Sequence, residues 1–248
     1  MERYVKKTGI LIYTALLATV LLLTHEVSSK SGGWTPASDS AALGNNTKTL
    51  AEEIYTQSGL ASTGLPLSVF QKAYTGYATL KAKGQVKKEI LTIADMSKVS
   101  GNKRLYIVDM RTRQILKHTW VAHGRNSGDR MAMQFSNRPS SLQSSLGFYV
   151  TSNTYMGGNG YSLQLVGLEK GFNDNAFSRA IVMHGAPYVN EQLASTGRIG
   201  RSWGCPAVSQ KEHKEIIDLI KGGSCLFIYA EQPQYLAKSE LLNSNTSL

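Results

Sequence analysis

The spacing of apolar residues changes partway along the chain. Over residues 47–87 apolar side chains recur every three or four positions, the period of helices that bury one face. Gly59 ends the first of two predicted helices, and Pro66 and Gly84 suit the first turn and the C-terminal end of the second. We therefore expect an N-terminal helical segment here. In its second helix the packing positions are Val69, Phe70, Ala73, Tyr74, Tyr77 and Leu80.

Over residues 88–232 the pattern becomes a series of short β-favouring runs separated by turn residues. So many short strands are typical of a β-sandwich or half-barrel rather than of a parallel α/β fold. Ser209 and Glu212 form a capping-box pattern, which predicts one late helix ending at Gly222. The expected fold class is mainly β or α+β, with short helices. The strand runs are EILTIAD, RLYIVDM, ILKHTWVAH, GFYVTS, SLQLVGL, RAIVMHG and SCLFIYA.

The two ends of the chain have a different character. Residues 1–29 begin with the basic stretch MERYVKK, continue with an uncharged apolar run and end in polar residues, the pattern of a secretory signal peptide. The run is shorter than the ~20 residues of a membrane span, but no clean cleavage motif follows it. An uncleaved N-terminal anchor is therefore the alternative. Both readings place the rest of the chain outside the cytoplasm, in the periplasm or cell envelope.

Two further segments have the composition of irregular structure. Residues 30–46 are rich in Ser, Gly and Asn and are predicted to be a linker. Residues 233–248 are polar and are predicted to be a flexible tail.

The composition of the whole chain narrows the possible partners. A chain of 248 residues with 42% hydrophobic and 18% charged residues is expected to fold. Its net charge of +10 suits either a solvated basic surface or attraction to an anionic polymer or membrane. The sequence contains no zinc-finger spacing and no RNA-binding aromatic signature, so nucleic acid is not an expected partner.

The chain has two cysteines in contrasting contexts. Cys225 lies in an apolar strand and is expected to be a small core residue, whereas Cys205 lies in a glycine-rich turn. The predicted helix that follows Cys205 would favour its thiolate, and the turn could direct backbone N–H groups toward an oxyanion. A disulfide between the two cysteines is the structural alternative for an exported protein.

A cysteine nucleophile needs a base, and His184 is the best placed of five histidines. It ends the apolar strand AIVMHG directly before Gly185, and such strand ends often hold catalytic groups rigidly. A partly buried histidine with no chemical role is the alternative reading. His213 is expected to be solvated in the first turn of the late helix.

The stretches AIVMHGAPYV and GRIGRSWGCPAV together resemble the murein L,D-transpeptidase catalytic domain family, in its YkuD-like group. The family pattern is an HG pair, a loop and a Ser-x-Gly-Cys turn, here His184-Gly185 and Ser202-Trp203-Gly204-Cys205. The resemblance covers roughly residues 88–230. This chain is similar to a divergent branch, because Trp203 stands where His is common and Pro206-Ala207 replaces the usual aliphatic residue followed by Arg or Asn.

The resemblance implies an acyl transfer on peptidoglycan stem peptides without a metal or organic cofactor. Cys205 would attack the carbonyl before the terminal D-Ala of a tetrapeptide, with His184 as general base and then acid. The carbonyl of Gly185 or Ser202 would orient the imidazole. The backbone N–H groups of Trp203, Gly204 and Cys205 would hold the oxyanion. The thioester would pass to an amine of a neighbouring stem or of a lipoprotein lysine, or to water in an L,D-carboxypeptidase.

Other readings stay open on the sequence alone. Trp203 is a candidate substrate contact, and Arg198 and Arg201 could replace the missing arginine or be ordinary surface residues. The scaffold could also serve as a non-catalytic peptidoglycan-binding module. A zinc site at His184, Cys205 and another histidine would match no common ligand spacing.

Overall fold

The computed structural model describes residues 37–243, with side chains from residue 46 onward. The predicted leader, the first part of the predicted linker and the last five residues lie outside the described residues. All described residues belong to one compact unit that starts at Pro36. Its helices are α1 (Ala37–Gln57), α2 (Leu67–Ala82), α3 (Glu191–Ala194), α4 (His213–Ile220), α5 (Pro233–Lys238) and α6 (Glu240–Asn243), with a 3₁₀ turn at Leu60–Thr63.

The predicted runs of β-favouring residues form an eight-stranded sheet of order β3-β2-β1-β8-β4-β5-β6-β7. Most neighbours are antiparallel, but β1 pairs with β8 and β6 pairs with β7 in parallel. This confirms the expected fold class. The strands are β1 (Ile90–Asp95), β2 (Leu105–Asp109), β3 (Gln114–Thr119), β4 (Gly147–Gly157), β5 (Gly160–Gly167), β6 (Val182–Ala186), β7 (Ala207–Ser209) and β8 (Cys225–Tyr229).

The chain that leaves β3 brings the two edges of the sheet together. Ala122 donates its backbone N–H to the carbonyl of Ala207 at 2.8 Å, so this segment pairs with the edge strand β7. Just beyond, the N–H of Ser202 donates to the carbonyl of His123 at 2.9 Å. The sheet is therefore a nearly closed barrel, and its seam runs beside the Ser202–Cys205 turn.

A buried arginine holds this seam. Arg104 donates from Nε and Nη2 to the carbonyl of Val121, both at 3.0 Å, and from Nη1 to the carbonyl of Lys98 at 2.7 Å. Its Nη2 also lies 2.8 Å from Nδ1 of His123. Burial, and then the charge of Arg104, lowers the pKa of His123 to about 4. His123 is therefore neutral and accepts from the guanidinium, which fixes the strand that closes the barrel.

Helix α2 packs on the sheet as its spacing predicts. All six of the predicted packing residues are buried, and they share one core with β1, β4 and β8. Gly76 lies against the ring of Phe148, where a Cβ would come within 2.1 Å of a ring carbon. The absence of a side chain at Gly76 thus lets the helix approach the sheet closely.

Two local expectations differ from the structure. Residues 37–46, predicted to be linker, are the start of α1, because extending an existing helix adds a hydrogen bond for each residue fixed. The Ser209–Glu212 capping box does not form. Helix α4 begins at His213, and the Glu212 carboxylate instead accepts from Thr119 Oγ1 at 2.6 Å and lies 3.0 Å from Lys117.

The predicted flexible tail is ordered as far as Asn243. Tyr235 and Leu241 are 1% and 7% exposed, and Tyr235 donates its hydroxyl to Oε2 of Glu169 at 3.0 Å. Ser239 donates to the other oxygen of the same buried carboxylate. The tail is polar on average, so its composition gave no sign of these few anchoring side chains.

None of the helices within residues 37–243 is long and apolar enough to cross a bilayer.

Removing residues 233–248 is expected to lower the free energy of unfolding by about 3–5 kcal/mol. The truncation exposes apolar surface and leaves Glu169 with only one of its three hydrogen-bond donors. Chemical denaturation of the two chains measures the difference. A chain ending at Asn243 is the control, and an unchanged midpoint in the longer truncation would show that α5 and α6 do not stabilise the fold.

Candidate active site

Strands β6 and β7 bring the two predicted reactive residues to one place. The parallel register pairs His184 with Ala207, two residues after Cys205. Cys205 itself lies in the turn before β7, which begins at Ala207. Its Sγ lies 3.6 Å from the carbonyl of Ala180, in the chain that enters β6, so the pairing of β6 with β7 places His184 and Cys205 in the same region.

The turn before Cys205 is held by a serine hydroxyl. Ser202 Oγ accepts from the N–H of Gly204 at 3.1 Å and donates to the carbonyl of Cys205 at 2.6 Å. Gly204 has a φ of 125°, and a Cβ there would lie 2.8 Å from the carbonyl oxygen of Gln143. The shape of this turn therefore explains both the serine and the glycine of the SxGC pattern.

This geometry changes the expected oxyanion donors. The N–H of Gly204 is occupied by Ser202 Oγ, so it is not free to bind an oxyanion. Among the described residues, the N–H groups of Trp203 and Cys205 have no acceptor. These two remain the candidates from the predicted set.

Cys205 is half-buried, and its Sγ–H points to the carbonyl of Ala180 at 3.6 Å. Burial raises the pKa of Cys205, while the Val182 N–H and the charge of Arg179 offset part of that rise. The predicted helix dipole has no role here, because α4 begins only at His213, after β7. The resting sulfur is thus a thiol that needs a base to react.

The cation beside the sulfur, Arg179, was not predicted from the sequence. Its guanidinium donates to the carbonyls of Ser136 and Gln143, both at 2.8 Å, and to the hydroxyls of Ser145 at 2.5 Å and Ser141 at 3.1 Å. The only sequence signal is an arginine directly ahead of the apolar strand that carries His184. We call these four partners the Arg179 cage.

His184 is 5% exposed, and one backbone hydrogen bond fixes the orientation of its ring. Its Nδ1 lies 2.9 Å from the carbonyl of Gly185, the interaction expected from the resemblance, and this leaves Nε2 with a free lone pair. Burial, and to a lesser extent the charge of His213, lowers the pKa of His184. The imidazole is therefore neutral near pH 7.

His213 is half-buried rather than solvated. Its ring takes the space beside Gly185, where a Cβ would come within 2.7 Å of ring carbon Cγ. His213 Nδ1 lies 2.8 Å from the carbonyl of Gln210. The glycine after His184 is thus needed for the packing of α4 as well as for the strand end.

Arg198 and Arg201 are bound to a neighbouring loop. Both lie near Oδ1 of Asp129, at 3.5 and 3.6 Å, and Arg201 also donates to the carbonyl of Gly128 at 3.0 Å. Trp203 is 74% exposed beside Cys205, as a substrate contact requires. Both arginines are therefore paired with Asp129, whereas the Trp203 side chain is free to contact a ligand.

The structure also bears on two of the alternative readings. Cys205 and Cys225 are both free thiols, and Cys225 is fully buried in β8, so the disulfide alternative is wrong. Within residues 37–243, no group of three His, Cys, Asp or Glu side chains is arranged to hold a metal ion.

Replacing Arg179 with glutamine is expected to slow alkylation of Cys205 by iodoacetamide at pH 8 about threefold to tenfold. Loss of the positive charge raises the thiol pKa further, so less thiolate is present and the rate profile shifts to higher pH. The Arg179→Lys variant keeps the charge and is the control. An unchanged pH profile in the glutamine variant would contradict a role of this cation at the sulfur.

A match to a known protein family agrees with this description. Residues 61–229 match the family described as the L,D-transpeptidase catalytic domain. No curated protein matches the chain. Similar solved structures include L,D-transpeptidases from Mycobacterium smegmatis and Stackebrandtia nassauensis. The first has 14% identity, 57% of this chain and 59% of that chain covered, and a TM-score of 0.36. The second has 12% identity, 73% and 76% covered, and a TM-score of 0.36.

The chain therefore spans about three fifths of the Mycobacterium smegmatis protein. The family match covers more than half of this chain and includes His184, Cys205 and every strand of the sheet. The chain belongs to the L,D-transpeptidase catalytic domain family.

Proposed function

We propose that this chain is an L,D-transpeptidase that transfers acyl groups of peptidoglycan stem peptides through a thioester on Cys205. The observation that carries the proposal is the parallel pairing of β6 with β7. It brings a neutral and oriented imidazole on β6 close to the turn that holds a half-buried thiol. Family membership supports the substrate class.

In the first half of the reaction, Nε2 of His184 takes the Cys205 proton as the sulfur attacks the carbonyl carbon. The resulting oxyanion would be held by the N–H groups of Trp203 and Cys205, each worth about 3–4 kcal/mol in the transition state. The carbon–nitrogen bond then breaks. The protonated imidazole gives its proton to the departing D-alanine amine, which leaves a thioester.

In the second half, an amine attacks the thioester and gives its proton to His184. A new amide forms as the carbon–sulfur bond breaks, and His184 returns the proton to the sulfur, which restores the Cys205 thiol. A neighbouring stem amine would give a 3→3 crosslink, and a lipoprotein lysine is a second possible acceptor. The raised pKa of Cys205 and the lowered pKa of His184 favour this base-assisted route over a resting thiolate–imidazolium pair.

The substrate would reach the sulfur past exposed Trp203, whose indole offers a large apolar face. Because the proposed substrate lies outside the cytoplasm, the function also implies export to the periplasm or cell envelope. The leader pattern of residues 1–29 supports this implication, either as a cleaved signal or as an anchor.

The direct test incubates the purified full-length chain with a disaccharide-tetrapeptide and identifies products by mass spectrometry. The proposal expects release of D-alanine and a dimer joined through the third residues of two stems. Tripeptide without dimer would mean that water is the acceptor. An unchanged substrate, with the protein folded and Cys205 reduced, would contradict the proposal.

A further inference from the structure

A groove of about 470 Å³ lies beside the reactive turn and has no role in the mechanism above. Its size falls within the range of about 300–1,000 Å³ that is usual for small-ligand sites. Five amide side chains line it, and we call it the amide groove. They are Gln134, Asn137, Gln143, Gln232 and Gln234.

The amide groove is lined by uncharged residues. None of the described residues that line the amide groove is charged, although the chain as a whole carries a net charge of +10. A site for a carboxylate or phosphate group is expected to present a cation. The groove therefore suits a neutral, polar ligand.

All but one of the five amides have hydrogen-bonding capacity to spare; the exception is Asn137, which donates to Asp174 at 2.6 Å and accepts from the N–H of Asn175 at 3.1 Å. The side chain of Gln234 has no hydrogen-bond partner among the described residues, and that of Gln134 uses only its Oε1, which accepts from Gln143 at 3.2 Å. Gln232 donates to the carbonyl of Met133 at 3.2 Å, which leaves its own oxygen free. Such groups match a ligand that carries both N–H and C=O groups as well as hydroxyls.

Aromatic residues supply the apolar part of the lining, as sugar recognition requires. The half-buried rings of Phe135 and Phe172 line the groove, and buried Tyr235 supports Phe172 edge to face with centroids 5.1 Å apart. A pyranose ring has apolar C–H faces that pack on such rings, while its substituents reach the amides. Neutral acetamido sugars combine both requirements.

The position of the groove relates it to the reacting peptide. Ser136 and Gln143 line the groove and also belong to the Arg179 cage. The carbonyl of Gln143 in turn lies against Gly204, next to Cys205. In peptidoglycan the stem is attached to an N-acetylated amino sugar about three residues, or ~10 Å of extended chain, from the proposed scissile bond.

We propose that the amide groove binds the N-acetylated amino sugars of the glycan strand that carries the stem peptide. This inference rests on the proposed function for its biological substrate, but sugar binding itself can be measured without turnover. The amide groove would then be a glycan subsite beside the site that binds the stem peptide.

Calorimetric titration of the full-length chain with tetra-N-acetylchitotetraose tests the inference, with maltotetraose as the sugar without acetamido groups. We expect saturable binding of the first sugar and at least tenfold weaker binding of the second. The double variant Gln134→Ala/Gln234→Ala is expected to weaken binding about tenfold, since each lost amide removes a hydrogen bond. The Gln192→Ala variant, an exposed glutamine on α3, is the control.

The rate of Cys205 alkylation monitors the reactive turn and is expected to be the same in all these variants. No saturable binding, equal affinity for both sugars, or equal affinity of the double variant would overturn the inference. If the acetylated sugar binds as expected but no muropeptide is turned over, the proposed function fails and the sugar site stands.

Discussion

The Cys205→Ala variant is expected to lose all measurable acyl transfer while keeping its fold. The sulfur forms the thioester in the proposed reaction, and no other described cysteine is available, because Cys225 is fully buried in the core. Cys205 is only half-buried, so its replacement is expected to change the free energy of unfolding by about 1 kcal/mol or less. Product analysis and chemical denaturation of the same preparation measure the two effects.

Two matched variants sharpen this result. Cys225→Ser is expected to retain activity, although a hydroxyl placed in a fully apolar core costs about 1–3 kcal/mol of stability. His184→Ala is expected to lower the turnover number about 10²- to 10⁴-fold, the usual contribution of a general base. Equal activity of Cys205→Ala and the unaltered chain would end the proposed mechanism.

The Arg104→Leu variant is expected to lose about 3–5 kcal/mol of folding stability. The change leaves the carbonyls of Lys98 and Val121 and Nδ1 of His123 without their buried donor. Because Val121 and His123 flank Ala122, which pairs with β7, we expect the seam beside Cys205 to loosen. Denaturation midpoints and the susceptibility of the seam to proteolysis measure both consequences.

The control for this prediction is Arg138→Leu, an exposed arginine far less involved in the fold. Its effect is expected to be within about 0.5 kcal/mol, the usual range for surface substitutions. If both variants have the same stability, the buried guanidinium does not hold the barrel seam.

The strands and the candidate reactive pair were accessible from the sequence because each depends on a local signal. Alternating and β-branched runs gave seven of the eight strands, and the HG and SxGC patterns located His184 and Cys205. The missed strand, β7, has only three residues and exists because β6 and the Ala122 segment pair with it on both sides. No local pattern indicates such a strand.

The groups that tune the site depend on contacts between distant segments. Arg179 is fixed by residues 34 to 43 positions earlier. The expected helix dipole failed for the same reason: Glu212 is drawn to Lys117 and Thr119 on β3, so α4 starts later. Sequence spacing shows which groups could react, whereas these long-range partners set their pKa values.

The most direct test of Cys205 as the nucleophile is the intact mass of the full-length chain after incubation with a carbapenem, whose strained ring acylates a reactive thiol. We expect a single covalent adduct that maps to the peptide containing Cys205, is absent from Cys205→Ala and is kept in Cys225→Ser. An unmodified chain, with Cys205 shown to be reduced and the protein folded, would contradict the claim that this sulfur is the nucleophile.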